Sequence, residues 1–175
     1  MSRWYDLEPV GEEFFSTAAH RFSFPIHLRA AADDVWTELT GPDPLRWVTR
    51  LRAEYTTEQP FGPGTRRSVV VGDGLLRLRE EFFHWDDAER RHAFYADQAT
   101  IPAFRSFAED FRVTDAEHGS TLHWSFAYEA RTGLGMVAWA GRPVAKLIFA
   151  DFVRDTRAYF GAAEPAAGLS GGAAA

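Results

Sequence analysis

Three ionisable residues interrupt otherwise apolar strand patterns, and such positions are where proton chemistry can be placed. In the two-residue register of a strand, Glu80 falls in line with Leu76, Leu78 and Phe82, Glu109 with Phe107, Phe111 and Val113, and His92 with Phe94 and Ala96. A carboxyl group on an apolar face must be paired or keep its proton, so each acid is a candidate for a raised pKa. Two such acids facing one cavity beside His92 would suit general acid–base work, such as enolisation, dehydration or aldol-type ring closure. The plainer alternative is that Arg67, Arg79 or Arg105 satisfies the carboxylates, or that a bulge turns them outward.

Other chemistries are poorly served. The chain has no cysteine, hence no disulfide, thiol nucleophile or Cys-ligated metal. Its histidines (His20, His27, His84, His92, His118 and His123) form no i, i+4 helical pair and no His-Glu-x-x-His motif, so neither a metal site nor a cofactor is expected. Ser68, Ser106 and Ser125 lie inside strands without a nucleophile elbow, and Gly72-Asp73-Gly74 reads as a hairpin turn.

Aromatic residues supply the material for a binding wall. Trp47, Tyr55, Trp124, Tyr128 and Trp139 combine apolar bodies with N–H and O–H handles, and each serves equally well in a bulky core. Arg67, Phe82, Phe94 and Phe107 on the strands and Ile148 and Phe152 on the last helix complete the expected lining.

These residues need elements to carry them. Phe22, Phe24, Ile26 and Leu28 alternate with polar neighbours as a strand, and Pro25 places it at an edge or bulge. Residues 31–40, with Asp33 and Asp34 in the first turn, predict a helix stopped by Gly41-Pro42, followed by a second helical turn over 43–48. A meander follows: a strand through Leu51 and Tyr55, then strands over 65–72, 75–85, 91–98, 104–114 and 120–130. A long amphipathic helix over 134–160 ends the pattern. On the helical wheel, Val137, Val144, Ile148, Phe152 and Tyr159 share one arc, opposite Arg142, Lys146 and Arg157. Asp155 falls inside the apolar arc, at its solvated end or paired internally.

An antiparallel sheet that must bury one face, and that begins before one helix and is closed by another, wraps around the last. The fold class is therefore α+β, a curved seven-stranded antiparallel sheet in the order β-α-α-β6-α around a long C-terminal helix. At 175 residues and 46% hydrophobic, the chain supports one domain. Residues 1–18 form an N-terminal arm, 19–160 the domain, and 161–175, rich in Ala and Gly, a tail too poor in bulk to order itself. A net charge of -6 and a pI near 5.5 give no footprint for nucleic acid. With no membrane span and no leader, the expected location is cytoplasmic. Eighteen arginines against one lysine suggest a GC-rich bacterial genome. The small apolar run 134–141 would serve as a pocket lid or a dimer patch, leaving monomer or homodimer open.

Gly64-Thr65-Arg66-Arg67 entering a strand, Arg79-Glu80-Glu81-Phe82-Phe83-His84-Trp85-Asp86, Gly119-Ser120-Thr121-Leu122-His123-Trp124 and Arg154-Asp155-Thr156-Arg157-Ala158-Tyr159 occur in that order. On these motifs, residues 19–160 resemble the polyketide cyclase/dehydrase-like branch of the START-related SRPBCC superfamily, which shares the helix-grip fold of the birch-pollen allergen. The resemblance implies a cavity between sheet and C-terminal helix that holds a small hydrophobic molecule, a lipid, polyketide or aromatic compound. It implies two alternatives as well: an aromatase/cyclase or dehydratase using cavity acids, or a toxin-like module that contacts a macromolecule.

Overall fold

The computed structural model describes residues 3–131, 133 and 142–164, and for 142–148 the helical backbone alone. Its elements are β1 (Tyr5–Asp6), α1 (Phe14–Thr17), β2 (His20–Leu28), α2 (Ala32–Thr40), β3 (Leu51–Tyr55), β4 (Arg66–Val71), β5 (Leu76–Asp86), β6 (Arg91–Ala99), β7 (Phe104–Ala116), β8 (Gly119–Ala130) and α3 (Arg142–Phe160). The seven long strands form one antiparallel sheet in the order β2-β8-β7-β6-β5-β4-β3, the expected meander with its first strand folded back beside its last. Pro25 sits on β2, at the sheet edge, where a missing N–H costs least. Residues 43–48 turn without closing a helix, with Leu45 at φ 60°.

Two bulges in the β5–β6 pair set which of its side chains face inward. Phe82 pairs with Phe94 but His84 with Ala93, so Phe83 is an extra residue on β5. The extra residue shifts the alternation, and Trp85 then joins the same face as Phe82. A second shift lies between the pairs Arg79–Gln98 and Glu80–Ala96, leaving Asp97 extra on β6.

Because directly opposed residues share a face, the registers give three inward rows across the sheet. One runs Tyr55, Arg67, Glu80, Ala96. The next runs Phe82, Phe94, Glu109, Phe126, Phe22, and the third Trp85, His92, Phe111, Trp124, Phe24. Helix α3 packs on the aromatic end of this wall. Phe152 lies 4.2 Å from Trp124 and Phe149 lies 4.3 Å from Phe126, ring centre to ring centre.

The convex side is covered as well. β6 and β7 pair only from Arg91 to Tyr95. Beyond that the arm occupies the gap: β1 pairs with β6, the Leu7 amide donates to Asp97 O and the Glu8 amide to Arg105 O, both at 2.8 Å. Phe14 and Ala18 then cap the outward-pointing Ala108 and Ala127, both fully buried.

The helix is locked at its C-terminal half by the turn before β3. The Trp47 indole donates to Thr156 Oγ1 at 3.1 Å, and the Thr49 amide donates to Asp155 Oδ2 at 2.9 Å, while Arg154 donates to Asp155 Oδ1. Burial pushes the Asp155 carboxyl up, but these donors outweigh it and hold its pKa below the ordinary value. Asp155→Ala leaves the Thr49 amide unpaired, and a loss of about 1–3 kcal/mol is expected in chemical denaturation; a variant as stable as the parent would show that water replaces the bond freely. After the helix, the Arg29 amide donates to Gly161 O and the Ala163 amide to His27 O, so the chain adds a short antiparallel contact beside β2. That contact uses backbone alone, which is why the lack of side-chain bulk from Gly161 onward does not prevent it. Residues 165–175 of the expected tail lie outside the described residues.

Glycine is required at the β7–β8 turn. Gly119 has φ 120°, and a Cβ there would sit 2.1 Å from Leu28 O.

Candidate functional site

Glu80, Glu109 and His92 all point to the concave face, and their surroundings differ sharply. Glu80 is 3% exposed, and Arg67, equally buried on the facing strand, donates to its Oε2 through Nε at 2.8 Å and Nη2 at 2.7 Å. The guanidinium lies 5.0 Å from the Phe82 ring and 4.5 Å from the Phe94 ring. Burial pushes the Glu80 carboxyl up and Arg67 opposes it. Of the arginines expected as partners, then, Arg67 pairs with Glu80. Arg79 instead donates to Gln98 and covers Trp4, and Arg105 pairs with Glu8 and Glu129.

Glu109 has no such partner. It is partly accessible, two strands from Glu80, and accepts the Trp124 indole N–H at Oε2, 2.8 Å. Burial, reinforced by the charge of Glu80, pushes its pKa up to about 8, against the pull of Trp124 and Arg67. Near neutral pH most of this carboxyl is therefore protonated, able to donate from one oxygen and accept at the other.

His92 is 1% exposed, and neither ring nitrogen has a hydrogen-bond partner among the described residues. Five rings enclose it: Phe82 at 5.2 Å, Trp36, Trp85 and Phe111 at 5.3 Å, and Phe94 at 6.1 Å. Burial holds its pKa well below the ordinary value, with the Arg67 charge acting in the same direction, so the imidazole is neutral. Unmet polar atoms in so apolar a shell lower stability. His92→Phe, which keeps a flat ring and removes both atoms, is expected to hold stability within about 1 kcal/mol or raise it. A melting temperature many degrees lower would show that the nitrogens are satisfied.

The expected lining residues divide by position. Tyr55, Phe82, Phe94, Phe107 and Trp124 belong to the concave wall, with Tyr128 stacked on His20 at its end, 4.6 Å between centres. Tyr55 has a buried hydroxyl without a partner among the described residues. Arg67 is on the wall but committed to Glu80. Trp47 is spent on the helix lock, against Tyr159 at 5.4 Å and Phe160 at 4.9 Å. Phe152 meets the wall directly; Trp139 and the Ile148 side chain lie outside the described residues. The expected lining omitted Phe111, Phe126, Phe22 and Phe24, which share the strand registers of residues it included, and Trp85, which only the β5 bulge brings inward. Trp85 also lines an open cleft of about 400 Å³ with Thr40, Gln59, Pro60, Phe61 and Asp87.

Among the described residues, no cluster of three or more potential metal ligands occurs, and no helix is long and apolar enough to cross a membrane.

The profile of the family described as "Polyketide cyclase / dehydrase and lipid transport" matches residues 19–160. An uncharacterized protein of Mycobacterium tuberculosis is 31% identical over 157 residues, covering 89% of this chain and 93% of that protein. Among solved structures, major latex-like protein 151 from Panax ginseng is similar at a TM-score of 0.60 and 14% identity, over 81% of this chain and 97% of that one. The di-domain ARO/CYC protein BexL is similar at a TM-score of 0.60 and 14% identity, over 79% of this chain and 46% of its own. At such identities the two structures speak for the fold alone, the curved sheet gripping a C-terminal helix.

Proposed function

From the premise that this chain belongs to the polyketide cyclase/dehydrase and lipid transport family, we propose that it binds a small hydrophobic molecule between the concave face and α3. The observation that carries this reading is Glu109, a partly accessible carboxyl set in an aromatic wall. An aromatic face grips a flat or elongated apolar body without regard to direction, and one polar group on it fixes orientation. Glu109 supplies that group, and the buried Arg67–Glu80 pair holds the wall behind it.

A second reading, a cyclase or dehydratase, draws support from the Glu109 pKa of about 8. A general acid or base works best when its pKa lies near the operating pH. Native mass spectrometry of protein purified from its own host tests the first reading: a co-purified small molecule of defined mass is expected, and bare protein together with no uptake of a neutral solvatochromic dye would sink it. Glu109→Gln separates the two. The amide keeps size and hydrogen bonding, so a carrier should retain affinity within a few-fold, whereas an acid–base enzyme should lose about a hundredfold or more in rate.

A further inference from the structure

Resting on that pocket reading, we propose that the site selects its ligand by charge: it takes molecules whose polar group is neutral, a hydroxyl, ketone or ester, and rejects carboxylates of the same shape. The geometry is an inventory of charge on the concave face. Arg67 is the one buried cation among the described residues. Both its near nitrogens are committed to Glu80 Oε2, at 2.8 and 2.7 Å, and its faces are covered by Phe82 and Phe94. The remaining ionisable groups of the three rows are Tyr55, Glu80, Glu109 and the neutral His92. A carboxylate brought to this wall loses its hydration, finds no free cation among the described residues, and meets the negative charge of Glu80. It must take up a proton or stay out. A hydroxyl or carbonyl needs one hydrogen bond, and the Glu109 carboxyl, anchored by Trp124, answers either: it donates to a carbonyl and accepts from a hydroxyl. The discrimination is thus built from a repulsive element as well as an attractive one. It also assigns a purpose to the pairing of Arg67, since an unpaired arginine at the same position would attract the anions that the paired one does not.

Displacement of Nile red, a neutral dye, by decan-1-ol, methyl decanoate and decanoate near neutral pH tests this. The two neutral probes are expected to compete at least about tenfold better than decanoate, a difference of about 1.4 kcal/mol. Glu80→Gln strips Arg67 of its counter-ion and should raise decanoate affinity relative to decan-1-ol by about tenfold or more. Should that variant not fold, Glu109→Lys, which places a cation on the accessible part of the wall, should reverse the preference in the same way. Decanoate binding to the parent protein as tightly as the alcohol overturns charge selection and leaves the pocket standing. If the dye and all three probes fail to bind, the pocket reading itself falls and this inference with it.

Discussion

Arg67→Ala is expected to cost about 3–5 kcal/mol of folding stability, because it strands the Glu80 carboxylate in the interior without its counter-charge. Burial makes the effect large. Both side chains are 2% exposed, and the two short bonds converge on one oxygen. Loss of the guanidinium also removes its packing on Phe82 and Phe94. The stranded acid will take up a proton, so the cost should shrink toward low pH. The double replacement Arg67→Met with Glu80→Leu removes both charges together and should recover most of the loss, since well-packed apolar residues often match or exceed a buried ion pair. Urea denaturation of the three variants measures this directly. A single variant that loses under about 1 kcal/mol would mean that water reaches the pair in solution.

The second large effect concerns Glu109 and pH. Its folded pKa of about 8 lies above the unfolded value of 4.5. Below the unfolded value both states hold the proton; between the two values the folded state holds a proton that the unfolded chain has lost. Stability therefore falls as pH rises through that window and levels off above it. With about 1.4 kcal/mol per unit, the total is on the order of 5 kcal/mol. Other groups titrate too: the depressed His92 lowers stability as pH falls below its ordinary value, and Asp155 acts lower still. The difference between the parent and Glu109→Gln isolates the one group. Expected are curves that converge in mild acid and separate toward alkaline pH, with the variant the more stable. Parallel curves would place the carboxyl in contact with water and remove the basis for an acid–base role.

Both effects turn on residues that stand out in the sequence; Arg67 was one of three arginines it offered as partners for the acids, whereas Trp124 was not legible there as the partner of Glu109. The two-residue alternation of Phe107, Glu109, Phe111 and Val113, or of Leu78, Glu80 and Phe82, is a local property of an extended chain, so strand identity and the inward direction of the acids follow from it. The glycine turns at Gly72-Asp73-Gly74 and Gly119, the helix stop at Gly41-Pro42 and the long apolar arc of the last helix are equally local, and together they carry the order of elements. What satisfies each buried group depends on strand register across residues far apart in sequence. Glu80 meets Arg67 because β4 and β5 pair in that register, Glu109 meets Trp124 across β7 and β8, and His92 meets only rings.

Bulges add a decision that alternation cannot foretell. One extra residue at Phe83 turns Trp85 inward against His92, because the same pattern without the bulge points it to the other face. The covering of the outer face is tertiary too. Ala108 and Ala127 point away from the helix, and they are buried because the arm crosses the gap where β6 and β7 part and lays Phe14 and Ala18 over them. By itself the sequence determined the seven long strands, the helix over 32–40 and the last helix, their order, and which acids face the interior, since those depend on neighbours along the chain; the short elements of the arm and the open turn over 43–48 depend on what they pack against. The charge state of each acid, and whether each has a partner, was decided only when the sheet brought distant strands into register.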